Sequence, residues 1–118
     1  MATLKEELAE LLTVPGIATA VVVSRDGFVI EGVNSGGSLD MEAVGAVVSA
    51  GIGATEVIGG ELQVGGLALS MIEYETGVIM AIPVGANAAL AIVADLKANL
   101  GNVRYQVKKR APVIEKVI

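Results

Sequence analysis

Apolar residues recur along this chain with two different periods, and the switches between them mark its elements. Leu4, Leu8, Leu11 and Leu12 are spaced for one face of a short helix. Thr3-Leu4-Lys5-Glu6 opens it as a capping box, and Pro15-Gly16 ends it. Ile17 to Ser24 and Phe28 to Val33 are β-branched runs that read as strands, joined by the tight turn Arg25-Asp26-Gly27. A flexible loop, Asn34 to Ser38, leads into a long helix. Three further strands follow: Gly66 to Glu75, Val78 to Val84 and Ala88 to Ala94. Pro83 lies near the end of its strand, where a missing N–H does least harm. Asn99 caps a last helix with an apolar stripe of Leu100, Val103 and Val107, and Pro112 is expected to bend or end it. The order α-β-β-α-β-β-β-α, with short hairpin connections, predicts an α+β domain: a five-stranded antiparallel sheet with helices on both faces.

The long helix runs from Asp40, its N-cap, to Ile58, with Gly59-Gly60 as the expected stop. At about 1.5 Å per residue it is roughly 28 Å long. On a helical wheel Glu42, Gly45, Ser49, Gly53 and Glu56 fall in one narrow wedge, and about two thirds of the circumference is apolar. A helix lying on a sheet needs an apolar stripe only somewhat over ~100° wide. The helix therefore calls for a second body. So does the third strand, which follows a long connection and should lie at a sheet edge. Apart from Ser70 and the residues near its end it is apolar, and a bare apolar edge is an aggregation hazard. A two-fold dimer meets both demands, because the axis can pair an edge with itself. The wedge of Glu, Gly and Ser is then the face expected to remain open to a partner.

Composition narrows the chemistry. The 118 residues make one domain, 53% hydrophobic, with one Phe, two Tyr and no Trp. An aromatic platform for nucleobases is thus excluded from expectation, and a net charge of −5 argues against nucleic acid. With neither Cys nor His there is no thiolate, imidazole or ordinary zinc chemistry. No secretory signal stands at the start, and a cysteine-free chain suits a reducing cytoplasm. Thr76 to Ala94 is a 19-residue run without charge, the length of a membrane span, but Pro83, Gly85 and Asn87 break it, and two strands around a turn explain it better. Charge is unevenly spread. Residues 1–103 hold 3 Lys/Arg against 12 Asp/Glu, whereas residues 104–118 hold five cations and only Glu115.

Local candidates for catalysis are weak. Gly51-Ile52-Gly53-Ala54-Thr55-Glu56 lacks the third glycine and the preceding strand of a dinucleotide fingerprint, so close packing is the plainer reading. Glu73 and Glu75, on one side of a strand, could pair as acid and base but read better as a solvated strand end. Arg25 at a turn tip could reach a nucleotide's phosphates, but a plain turn residue is the simpler view. The basic tail Arg104, Lys108, Lys109, Arg110 and Lys116 suits a helix C-terminus, and also acidic lipid or an acidic partner patch.

The stretches ATAVVVSRDGFVIEG, LDMEAVGAVVSA, GLALSMIEYETGVIMAIPVGANAALAIVAD and KANLGNVRYQVKK resemble the roadblock/dynein light chain superfamily, closest to its prokaryotic MglB-like branch. The resemblance covers nearly the whole chain. Val23-Ser24-Arg25-Asp26-Gly27 and Ala98-Asn99-Leu100-Gly101 are its most specific pieces. It implies a homodimer with a continuous ten-stranded sheet, third strands paired across the axis and central helices side by side. The expected dimer interface is Val44, Val47, Val48, Gly51, Thr55, Leu67, Leu69 and Met71, and the expected partner face is Glu42, Gly45, Ser49, Gly53 and Glu56. The implied role is a non-enzymatic regulator of a Ras-like small GTPase, without cofactor, stimulating GTP hydrolysis in the MglB-like branch. The alternatives are a dimeric scaffold or light-chain adaptor with no effect on hydrolysis and, third, a small-molecule sensor.

Overall fold

In the computed structural model, which describes residues 2–118, the elements follow as α1 (Leu4–Leu11), β1 (Ile17–Ser24), β2 (Val29–Asn34), α2 (Met41–Glu61), β3 (Ser70–Glu73), β4 (Val78–Val84), β5 (Ala88–Ala94) and α3 (Leu100–Glu115). One antiparallel sheet has the order β2-β1-β5-β4-β3, with β3 at an edge as expected. The helix starts are those the caps indicate. Thr3 Oγ1 accepts from the Glu6 N–H at 3.2 Å while the Glu6 carboxylate accepts from the Thr3 N–H at 3.3 Å, closing the capping box. Asp40 accepts from the Ala43 N–H and Asn99 from the Asn102 N–H.

The sheet separates two cores of unequal depth. On one face α1 and α3 bring Leu8, Leu11, Val103, Val107 and Ile114 against Val22, Met80, Leu90 and Ile92. On the other, Val21, Val23, Ala81, Ala89 and Ala91 meet α2, whose only fully buried large side chain is Ile52. The alternation is the period-2 pleat of strands covered on both faces. Arg110 Nη1 donates to Glu7 Oε2 at 2.8 Å and ties α3 to α1 across the thicker core.

Four elements differ in their bounds from the sequence reading. β2 begins and ends one residue later than expected, because Phe28 closes the turn, its carbonyl accepting from the Ser24 N–H at 2.8 Å. β3 covers only Ser70–Glu73, not Gly66 to Glu75. Ser70 sits opposite Ala81, so the same register would place Ala68 opposite Pro83, which has no N–H to give the ladder. α3 runs on through Pro112 to Glu115, because Ala111 and Ile114 on its inner face are buried and hold that last turn in place. Finally, α2 does not stop at Gly59-Gly60. It ends in a Schellman turn, with the Val64 N–H on the Gly59 carbonyl at 3.0 Å and the Gln63 N–H on the Gly60 carbonyl at 3.2 Å. The left-handed residue of that turn is Gln63, at φ 59°. Gly59 serves the close return of the chain instead, since a Cβ there would stand 2.7 Å from the Gly65 carbonyl oxygen.

A left-handed Gln is strained where Gly would not be. Gln63→Gly is therefore expected to raise the unfolding free energy by about 0.5–1 kcal/mol, read from urea melts. A destabilised variant would contradict the assigned turn.

Candidate functional site

α2 is attached to the rest of the domain along one narrow stripe. At Gly45 the helix backbone comes so near the β1–β2 turn that a Cβ would lie 2.8 Å from the Gly27 carbonyl oxygen and 3.0 Å from the Val29 nitrogen. One turn on, the Ser49 hydroxyl donates to the Arg25 carbonyl at 2.7 Å. Ile52 enters the sheet's small-residue face, and Glu56 Oε1 accepts from Arg25 Nη1 at 2.5 Å. Positions 45, 49, 52 and 56 are spaced for a single helix face.

This closes part of the wedge expected to stay open. Gly45 is buried, and Ser49, Gly53 and Glu56 are half-covered; only Glu42 is exposed. The polar wedge faces home because a turn backbone can be met closely only by a glycine, a hydroxyl for its carbonyl and a carboxylate for its arginine. Arg25 is correspondingly no free finger, being held by Glu56. Glu73 closes β3 while Glu75 lies beyond it in the turn, both exposed. The Gly51–Glu56 glycine motif lies wholly within α2. A wide open groove of about 600 Å³ runs past Gly53, Gly66 and Gly85, but its cation, Arg25, is already paired with Glu56.

Beyond that stripe α2 is mostly uncovered, with Val44 and Val48 only partly buried beside it. The helix packs mainly on β1, β2 and β5 and reaches β4 at Ala81, leaving the same face open at Ile79 of β4 and Ile72 of β3. An apolar groove of about 280 Å³ opens there, walled on the helix side by Val47, Val48, Gly51 and Thr55 and on the sheet side by Ile72, Tyr74 and Ile79. Val47 is 67% exposed and Ile72 47%. Thr55 satisfies its hydroxyl on the Gly51 carbonyl, so the groove carries no unmet donor there. The protomer exposes 6784 Å², against about 5,900 Å² expected of a compact monomer of its mass. α2 is also long and apolar enough to cross a membrane by length and composition alone.

The expected interface residues divide. Val44, Val47, Val48, Gly51 and Thr55 lie on the groove side of α2 or at its border, and Leu67 packs on the same face of the sheet. Leu69 and Met71 do not: Leu69 packs into the α1–α3 core, and Met71 shares a face with its cross-strand partner Met80. Their place in the groove is taken by Ile72 and Tyr74. A side-chain period of 2 puts residues 70, 72 and 74 together, and the strand's parity could have been read only with its register known.

The domain so described is a two-faced α+β sheet with one face closed by two helices and the other half-closed by one. The sequence profile of the Roadblock/LC7 domain matches residues 3–94, and the chain belongs to that family. Two uncharacterised proteins of Methanocaldococcus jannaschii are 39% and 37% identical over 108 residues, 92% of this chain and 93% and 90% of theirs. Among solved structures the fold is that of Myxococcus xanthus MglB (TM-score 0.90, 16% identity, 97% of this chain and 93% of that one). It is likewise that of the gliding protein MglB from Thermus thermophilus (0.86, 20%, 99% and 92%). A Roadblock/LC7 domain from Streptomyces avermitilis also shares it (0.87, 19%, 98% and 97%).

The contacts along the attached stripe should rank by how completely each is buried. Gly45→Val is expected to cost about 2–3 kcal/mol through its clash with the turn backbone. Ser49→Ala should cost about 1 kcal/mol, and Glu56→Ala, in a partly exposed pair, about 0.5 kcal/mol or less. Chemical denaturation of the three variants measures the order, and a Gly45→Val protein as stable as the parent would refute the close approach.

Proposed function

We propose that the chain is a non-enzymatic regulator that works as a symmetric homodimer and binds a Ras-like small GTPase in the cytoplasm. The observation that carries the reading is the bare flank of α2: an apolar groove beside an unpaired apolar edge strand. A second copy related by a two-fold axis fills the groove with its own α2 and pairs β3 with β3, giving a ten-stranded sheet. Val44, Val47, Val48, Gly51 and Thr55 are the helix side of that interface, with Ile72 from the strand and Tyr74 just beyond its end. Leu67 borders it, while Leu69 and Met71 flank the strand pairing on the far side of the sheet.

What is left of α2 after the home stripe and the groove is the side away from the sheet: Ala43, Ala46, Ala50, Ala54 and Val57, all exposed. Glu42 and Gly53 stand at its border. Small side chains make this a shallow, apolar surface that a globular partner can approach closely, as the centre of an interface requires. The family's resemblance supplies the kind of partner. A regulator of this type acts by reshaping the GTPase's own residues, which accords with an Arg25 already committed to Glu56. The second reading is a scaffold that binds the GTPase without altering its hydrolysis; an unchanged hydrolysis rate in a stable complex would select it.

Two measurements test this. Light scattering at ~10 µM is expected to give the dimer mass, and Val47→Asp or Ile72→Asp should give a folded monomer, because both residues are exposed in the protomer yet cannot carry a charge into an apolar interface. Gel filtration with a Ras-like GTPase from the same genome should show co-elution in at least one nucleotide state. Ala50→Arg should abolish it without changing the dimer. Absence of a complex in every nucleotide state would refute the partner.

A further inference from the structure

The outer surface of α3 lies on the opposite side of the sheet from α2. Its inner residues Val103, Val107, Ala111 and Ile114 are buried, so the helix is fixed on the fold and shows one constant face. That face carries Arg104, Lys108, Lys109 and Lys116, all exposed, against the single acid Glu115. Arg110, the fifth cation of the tail, is spent on Glu7. Apolar and aromatic groups stand among the cations: Tyr105, 59% exposed with the Lys109 Nζ 5.9 Å from its ring centroid, and the exposed Val113 and Ile118.

The topology decides where this surface lies in an assembly. α3 packs on β4, next to the edge strand, whereas α1 packs on β1 and β2 at the far side. In the homodimer proposed above, on which this inference rests for its two-fold form, the β4 strands of the two copies are separated by the paired β3 strands. At about 4.8 Å per strand the two β4 strands beneath the α3 helices are about 14 Å apart. Eight exposed cations then lie along the two ridges, among the exposed acids Glu115 and Glu73 of each copy. Glu73 stands on this face because its cross-strand partner Val78 belongs to the core beneath it, whereas Glu6 and Glu10 of α1 are displaced to the outer ends.

We infer that this face docks the dimer on an anionic membrane surface, with α2 and its partner directed away from the lipid. Clustered Lys/Arg with a neighbouring tyrosine suit an anionic headgroup layer. A planar lipid surface engages both symmetry-related ridges at once, whereas one acidic protein chain, lacking the two-fold, meets them unequally. Neither ridge is strongly cationic by itself, so the attachment depends on the pair.

Flotation of the full chain with vesicles tests the inference. Vesicles of phosphatidylcholine and phosphatidylglycerol at 70:30 should carry the protein up at 0.1 M NaCl. Pure phosphatidylcholine should not, and 0.5 M NaCl should release it. The double variant K108E/K109E, dimeric by light scattering and with an unchanged melting midpoint, should bind at least tenfold less, and K108Q/K109Q should fall between. The monomeric Val47→Asp variant should also bind at least tenfold less. A dimer that stays down with anionic vesicles, or a K108E/K109E protein that floats like the parent, overturns the docking. So does binding of soluble poly-glutamate without binding of vesicles, which would assign the face to an acidic protein. A parent protein that is monomeric yet floats keeps the lipid contact but overturns both the homodimer reading and the dependence of docking on the paired ridges.

Discussion

The structure depends on how α2 is held. A single stripe, Gly45, Ser49, Ile52 and Glu56, fastens the helix to the β1–β2 turn and to the small-residue face of the sheet. The fastening is mostly backbone contact and hydrogen bonding, because Ala81, Ala89 and Ala91 offer little side-chain volume to bury. A helix attached so narrowly keeps most of its apolar circumference uncovered by the domain. The groove beside β3 and the alanine face away from the sheet both follow from that one economy of contact.

The opposite face of the sheet shows the contrasting solution. There α1 and α3 together cover the strands with Leu, Val and Ile, and the Arg110–Glu7 pair joins the two helices across a well-filled core. Stability is concentrated on that side. The α2 side is left thin, with only Ile52 of the helix fully buried against small residues. The two faces also differ in charge: α2 carries Glu42, Glu56 and Glu61 on an otherwise apolar helix, whereas α3 with its C-cap Lys116 carries most of the chain's cations.

Much of the architecture is legible in the chain. The strands Ile17–Ser24, Val78–Val84 and Ala88–Ala94 carry their β-branched and apolar runs between clear turn residues, and Thr3, Asp40 and Asn99 mark the helix starts through their own hydrogen bonds. These are local signals, set within a few residues. The larger boundary differences came from further away. β3 is cut short by a proline on a different strand. α3 passes Pro112 because Ile114 is anchored in a core made largely by other elements, and α2 overruns Gly59-Gly60 because Gly59 serves the return of the chain at Gly65.

The same division runs through the interaction surface. Amino-acid order alone determined that one helix is too apolar to be covered by 118 residues, that an apolar strand lies at an edge, and that positive charge is gathered at the end of the chain. It could not say which way the helix is turned. Hydropathy ranks Glu, Gly and Ser as the face for water, yet the turn at Arg25–Gly27 needs a missing Cβ, a hydroxyl and a carboxylate, and rotates that wedge inward. Tertiary contact likewise set the parity of β3, which brings Ile72 and Tyr74, not Leu69 and Met71, beside the helix. Periodicity measures how much of an element is apolar; only the neighbour it packs against decides the angle at which that surface is presented.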